Sequence, residues 1–370
     1  MTIHYTAPGK LFISGEWAIL EIGNLGLVAA VNNRVRVSID SAKETSVTAE
    51  EFGIRNAKAA YDGGKIVFSG IDDKQKETLK LIGEALSVSI RYLEEHKIKA
   101  KSFHLATNSS DTQFQVGDQL KKVGFGSSAA VVVATVAAVL DFHDYKATKE
   151  EIYKLSTIAH YYAQGKVGSA FDVAASTYGG LFVYSRFDPE WLTKKIEAGE
   201  KLAYIIKTKW PSLIIEELGV PNDFRLLVGW TGDSASTSAA IKQMNEFKAK
   251  NKDEYYDLFN NIGRIAKKAI ENFKTGDKES FLSCLTENEQ ALSDLGQASG
   301  VNIETPELKK LADIAADYGA AGKLSGAGGG DCGIAICFDE VVANNVTAAW
   351  EDEGLIPLDV TIDRQGVMKE

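Results

Sequence analysis

The sequence is poor in the residues that staple small proteins or bind metals. It has three cysteines in 370 residues, Cys284, Cys332 and Cys337. An odd count with no paired spacing fits a reducing compartment better than a disulfide framework. Cys332 and Cys337 are five positions apart, which matches no common zinc pattern. The five histidines, His4, His96, His104, His143 and His160, show no ligand spacing and read as structural or surface residues. Apolar runs are short. The longest, Ala129 to Leu140, falls below the ~18 residues of a membrane span. The opening MTIHYTAPGK has neither the apolar stretch nor the cleavage site of an export signal, so a cytoplasmic location is expected. Positive charge is in deficit, with 41 basic against 51 acidic residues and a net charge of −10. That argues against nucleic acid and membrane as partners, but not against a local basic pocket.

What remains is an ordinary globular composition, 45% hydrophobic and 25% charged. At roughly 150 residues per domain, the length suggests two domains. The first 70 residues read as strands and turns, with Val35, Val37 and Ile39 in period-two alternation. Leu79, Ile82, Leu86, Ile90 and Leu93 give one apolar helical face within 77–97. A strand is expected at 101–107. Thr148 and Glu151 form a capping-box pair at the start of another helix. A strand at 181–185 follows the Gly179-Gly180 turn. The segment 188–221 holds three of the six prolines and is the expected boundary region, dividing the chain into domains 1–200 and 201–370. The second half reads as a strand at 224–230 and helices at 236–248, 253–273 and 279–295. A Thr305-Pro306 helix start and strands at 333–338 and 359–363 follow. Segregated helices and antiparallel-looking strands indicate an α+β fold.

Four segments carry chemistry. In KKVGFGSSAA, Gly124, Gly126, Ser127 and Ser128 stand at the N-terminus of the 129–140 helix, where unpaired N–H groups and the helix dipole favour an anion. No lysine follows these glycines, so this is not a Walker loop. The bland alternative is a serine cap on a core helix. KLSGAGGGDCG clusters glycine between a helix and a strand, which points to backbone approaching a ligand. In APGKLFISGEWA, Lys10 stands just past a Pro-Gly turn between two short strand-like pieces; on its own it reads as a solvated lysine. In KVGSAFDVAAS, Asp172 is flanked by small and apolar residues. It serves either a lysine, a metal or a substrate proton, or simply a helix start. TGDSAST at 231–237 reads mainly as a helix cap.

Together these segments resemble the GHMP kinases, small-molecule kinases related to galactokinase, homoserine kinase and mevalonate kinase. APGKLFISGEWAIL, VGFGSSAA and KLSGAGGGDCG match three family motifs in order. KVGSAFDVAAS, YGGLFVYSRFDPEWL and VGWTGDSAST are closest to the phosphomevalonate kinase branch, and Trp17 follows Glu16 where mevalonate kinases usually have histidine. Phe125 and Ala170 depart from the usual leucine and glycine. The resemblance implies a two-domain α+β kinase with its site in the cleft, using ATP, Mg2+ and phosphomevalonate. It implies Lys10 at the transferred phosphate and Asp172 as active-site aspartate, orienting Lys10 or magnesium. Lys122, Gly124, Phe125, Gly126, Ser127, Ser128 and Ala129 would form the ATP phosphate loop, with Ser128 near the metal. Ser169, Ser325, Gly326, Ala327 and Gly328 would face the substrate. Two anionic substrates require cations, for which Lys10, Lys121, Lys122, Lys166, Arg186 and Lys323 are the candidates. Mevalonate kinase activity, or a ligand-binding module without turnover, are the alternatives.

Overall fold

The computed structural model describes residues 2–110, 113–116, 119–165, 168–232 and 237–370. The chain opens with two long antiparallel strands, β1 (Ile3–Ser14) and β2 (Gly26–Ser41). Then come β3 (Ser46–Ala49), β4 (Ile54–Asp62), β5 (Lys65–Ser69), α1 (Asp73–Thr78), α2 (Lys80–Glu95) and β6 (Phe103–Asn108). The hairpin of β7 (Gln113–Val116) and β8 (Gln119–Lys122) leads into α3 (Ser127–Phe142), α4 (Lys149–Ala163), α5 (Phe171–Tyr178) and β9 (Leu181–Ser185). Next are α6 (Pro189–Glu197), α7 (Leu202–Lys207), β10 (Ile214–Leu218) and β11 (Arg225–Trp230). Four helices follow, α8 (Thr237–Lys250), α9 (Lys252–Thr275), α10 (Lys278–Ser299) and α11 (Pro306–Asp317). The last elements are β12 (Ala321–Leu324), β13 (Cys332–Cys337), α12 (Glu340–Asp352), β14 (Ile356–Leu358) and β15 (Met368–Lys369).

The larger sheet runs β10-β9-β2-β6-β3-β4-β5, with β1 on β2 and β15 on β1. All its pairings are antiparallel except β3 with β6. The second sheet is β12-β13-β11-β14. The architecture is thus α+β, with two large apolar cores that share β1 and β2 and a smaller third around Leu311, Val346 and Trp350. Alternation along β2 sends Val28 and Ala30 into one core, and Val35, Val37 and Ile39 reach the same core because the parity changes at the register shift between Val31 and Arg34. Leu27, Ala29 and Val31 enter the other, because successive strand side chains point to opposite faces. On the first face lies α3, whose SSAAVVVATVAAVLDF sequence is apolar nearly all round and buried accordingly. On the second lie α9 and α10. The stretch 201–218 continues the larger sheet: Leu202, Ile205, Ile206 and Trp210 join the first core and β10 pairs with β9.

Three sequence expectations are corrected. Pro8-Gly9 makes no turn; β1 runs through it with a register shift against β2, a bulge that accommodates the missing proline N–H. The expected 77–97 helix is two helices broken at Leu79. A capping box between Asp72 and Gln75 starts a separate short α1. The strand expected at 359–363 is instead β14, ending at Leu358, followed by a single bridge from Ile362 to Val31. Among the described residues, no helix is long and apolar enough to cross a membrane. All three cysteines are free and buried.

Candidate functional site

A cavity of about 770 Å3 opens where the two cores meet along β1. Lys10 lines it from β1. Its ammonium donates to Gly124 O at 2.8 Å and stands 5.8 Å from the centre of the Phe171 ring. Its backbone N–H donates to Phe125 O at 2.8 Å, so strand and loop are joined at this residue. The lysine is therefore held in the cavity wall rather than left to wander in solvent.

Gly124, Gly126, Ser127 and Ser128 form the adjoining wall. Gly126 is the N-cap of α3 at φ 82°, ψ 35°, a conformation that favours glycine, and an added Cβ would sit 3.0 Å from the Lys10 stem. Gly124 is needed for a different reason. Its N–H donates to Asp331 Oδ1 at 3.0 Å, and any side chain there would collide with that carboxylate. Phe125 and Ala129 are fully buried and contribute packing and backbone. Among the described residues nothing accepts from the N–H groups of Ser127 or Ser128, so both remain available to an anion. Lys122 lies on β8, but its side chain is outside the described residues. Lys121 is exposed and does not line the cavity.

Asp172 stands in the first turn of α5 and reaches the same cavity. Its Oδ1 accepts from the Val173 N–H at 2.9 Å, and its Oδ2 lies 3.9 Å from His160 Nε2. Among the described residues it makes no ion pair with Lys10; Gly124 O holds that ammonium instead. The turn before α5 is pinned from below. Arg186 donates to Gly168 O at 3.1 Å and to Leu20 O at 2.6 Å. The Tyr184 hydroxyl donates to Ser169 O at 2.5 Å and lies 2.9 Å from the Tyr153 hydroxyl. Ala170 takes φ 62°, ψ 22°, a left-handed cap that costs alanine more than the glycine usual in the resembling kinases. Ser169 is buried with its edge on the cavity, and Arg186 is a bracket outside the wall. Lys166 and the 233–236 segment lie outside the described residues.

The third glycine segment divides its labour. Gly326 and Ala327 line the cavity. Ser325 does not: its hydroxyl accepts from Phe12 N–H at 3.0 Å and donates to Phe12 O at 2.9 Å, tying the loop to β1. Gly328 packs against Ile303, where a Cβ would meet backbone, and Gly329 N–H donates to Ile303 O at 2.8 Å.

Several wall residues escaped the sequence reading. His160, called structural or surface, is buried and lines the cavity together with Gln164. Asp331 closes the glycine loop before α3, and burial pushes its carboxyl above the usual range, opposed by the Gly124 N–H and Lys10. Lys242 and Asn245 of α8 form part of the far wall. The only signals were an i,i+4 His-Gln pair beside the Asp172 segment and an acid closing a glycine run.

Glu16 also lines the cavity, at 1% exposure, paired with the fully buried Lys323. Its Oε2 has no hydrogen-bond partner among the described residues. Lys323 also donates to Leu324 O at 2.6 Å, so this lysine is committed to the fold. Behind it, Glu289 Oε2 accepts from Leu324 N–H at 3.0 Å. Burial raises Glu289 from 4.5 to about 7; Lys323 and the Leu324 N–H oppose the rise and Glu304 adds to it. The unfolded chain therefore holds fewer protons than the folded one between those values, and stability falls as pH rises through that window. Glu289→Gln keeps an acceptor and loses the charge. Thermal melts are expected to show it stabilised near pH ~8 but much less near pH ~5, and equal shifts at both would refute this assignment.

Family models match two stretches: the GHMP kinases N terminal domain at residues 85–180 and GHMP kinases C terminal at 269–355. The phosphomevalonate kinase of Streptomyces sp. (strain CL190) is 31% identical over 99% of this chain and 98% of its own. The mevalonate kinase of Thermococcus sibiricus (strain DSM 12597 / MM 739) is 27% identical over 100% of this chain and 99% of its own. Among solved structures, Streptococcus pneumoniae phosphomevalonate kinase in complex with phosphomevalonate and AMPPNP superposes with a TM-score of 0.82. It is 26% identical, covering 98% of this chain and 99% of that one.

Proposed function

The chain belongs to the GHMP kinases, and from that membership we propose that it transfers the γ-phosphate of ATP to 5-phosphomevalonate, giving 5-diphosphomevalonate and ADP. The observation that carries this reading is the 31% identity to the Streptomyces phosphomevalonate kinase along essentially the whole chain. The reaction asks for positioning and charge neutralisation rather than covalent chemistry. The N–H groups of Ser127 and Ser128 at the start of α3 receive the nucleotide's phosphates. Lys10 offsets the charge that develops on the group in transfer. The acceptor is a phosphate monoester whose second pKa is about 6, so it arrives largely dianionic and needs no strong base. Asp172 then serves as an orienting and metal-side group.

Magnesium bound in such a site would supply charge neutralisation to the nucleotide's phosphates. It takes only one or two protein oxygens and leaves the rest to phosphate and water. The hydroxyl of Ser128 and the carboxylate of Asp172, both on the cavity, fit that hard donor set. Among the described residues no group of three or more His, Cys, Asp or Glu is placed to hold a metal ion. Three free, buried thiols support a reducing, cytoplasmic setting.

ADP release with phosphomevalonate or mevalonate as acceptor tests the reading. Phosphomevalonate is expected to have the higher kcat/KM by about a hundredfold or more, since a site built for a phosphate leaves charges unpaired around an alcohol. Preference for mevalonate would replace the proposal with the alcohol-acceptor reaction. Nucleotide binding without turnover on either would replace it with a binding module.

A further inference from the structure

Ser128 and Asp172 come from helices far apart in sequence, α3 and α5, and one side chain of α4 lies between them. His160 is 4% exposed. Its Nε2 is 3.4 Å from Ser128 Oγ, 3.1 Å from Gln164 Nε2 and 3.9 Å from Asp172 Oδ2. With the Gln164 amide nitrogen facing the ring, that nitrogen donates and His160 Nε2 accepts, which places the ring proton on Nδ1. The Ser128 hydroxyl, facing the same lone pair, then donates a hydrogen bond to the imidazole.

The direction of that proton decides what Ser128 can do. A hydroxyl has one proton and two lone pairs. With the proton turned to His160, the lone pairs are left to the cavity. The same tautomer gives Asp172 Oδ2 no proton, and Oδ1 is already occupied by the Val173 N–H. We propose that His160 is a positioning residue: it accepts the hydrogen bond of the Ser128 hydroxyl and so presents that oxygen and Asp172 Oδ2 together as oxygen donors to the cation that accompanies the nucleotide. Gln164, one helical turn on, locks the acceptor state of the ring. The proposal rests on the nucleotide site described above, and it goes beyond that reading by assigning His160 a role through Ser128 rather than through any contact with substrate.

The test is a double-mutant cycle in the full chain with Ser128→Ala, His160→Leu and the pair. His160→Gln serves as the conservative variant, because its amide oxygen can accept from Ser128 Oγ–H. Two quantities are read: kcat with ATP and phosphomevalonate, and the gain in AMPPNP affinity on adding Mg2+, measured by calorimetry without turnover. His160→Leu is expected to lower kcat about 30-fold and to reduce the Mg2+-dependent gain as Ser128→Ala does, as displaced positioning groups do. The double variant is expected to be no worse than Ser128→Ala alone, since the two residues act as one unit. His160→Gln is expected to recover most of both losses. Independent, multiplying effects, or no rescue by glutamine in a variant that melts like the parent, would overturn the role of His160. An unaltered Ser128→Ala variant would overturn it too. A parent protein that fails to bind AMPPNP at all would instead remove the nucleotide-site reading beneath it.

Discussion

Replacing Lys10 with methionine is expected to reduce kcat by about a thousandfold or more while leaving the melting temperature nearly unchanged. The size follows from removing a fixed cation from a site where charge develops in the transition state, an effect of roughly 3–4 kcal/mol in comparable electrostatic sites. The selectivity follows from the geometry. The backbone bond from Lys10 N–H to Phe125 O is independent of the side chain. The methionine stem still covers Gly126, whose Cβ position would lie 3.0 Å from Lys10 Cγ. What is lost is the ammonium held by Gly124 O. Steady-state ADP release and thermal melts on the same preparation decide the matter. A kcat within tenfold of the parent would remove Lys10 from the reaction.

The second large effect is on stability. Lys323→Met is expected to cost about 3–5 kcal/mol in urea unfolding, because removing one member of a buried ion pair strands the other. Glu16 is 1% exposed and Lys323 wholly buried, so water cannot replace the missing ammonium. The Leu324 carbonyl loses its donor as well, and Glu289 loses its nearby cation. Adding Glu16→Gln removes the stranded charge and is expected to recover a substantial part of the loss. A single-variant cost below about 1 kcal/mol would show that the pair is solvated rather than sealed.

These two lysines also show how far a sequence can be read. The α3 glycines were visible because their chemistry is local: a glycine pair, serines and an apolar run on one short segment. The Thr148 cap of α4 was visible for the same reason. Lys10, which on its own reads as a solvated lysine, was singled out only by the family resemblance. Lys323 was counted among cations for the substrates, and the structure spends it on Glu16 instead, 307 residues away in sequence. Asp331 reaches Gly124 across 207 residues, and no periodicity announces such a contact. His160 looked like one more helix-face residue until α3 and α5 were folded against α4. The split of the expected 77–97 helix was missed because the apolar spacing continues past Leu79 while the backbone does not.

β15 carries a further consequence. Its residues pair with β1 at Tyr5↔Lys369 and Thr6↔Met368, and Asp363, nearby in sequence, pairs with Arg34 of β2. A chain growing on a ribosome has β1 and β2 early but lacks their last neighbour until residue 369 has emerged. Closing a loop of that length is slow compared with forming the hairpin itself. The strand that bears Lys10 therefore lacks its β15 partner at Tyr5 and Thr6 until residue 369 has been made. Until then that end of β1 is an open strand edge, the kind of surface on which partly folded chains pair with one another.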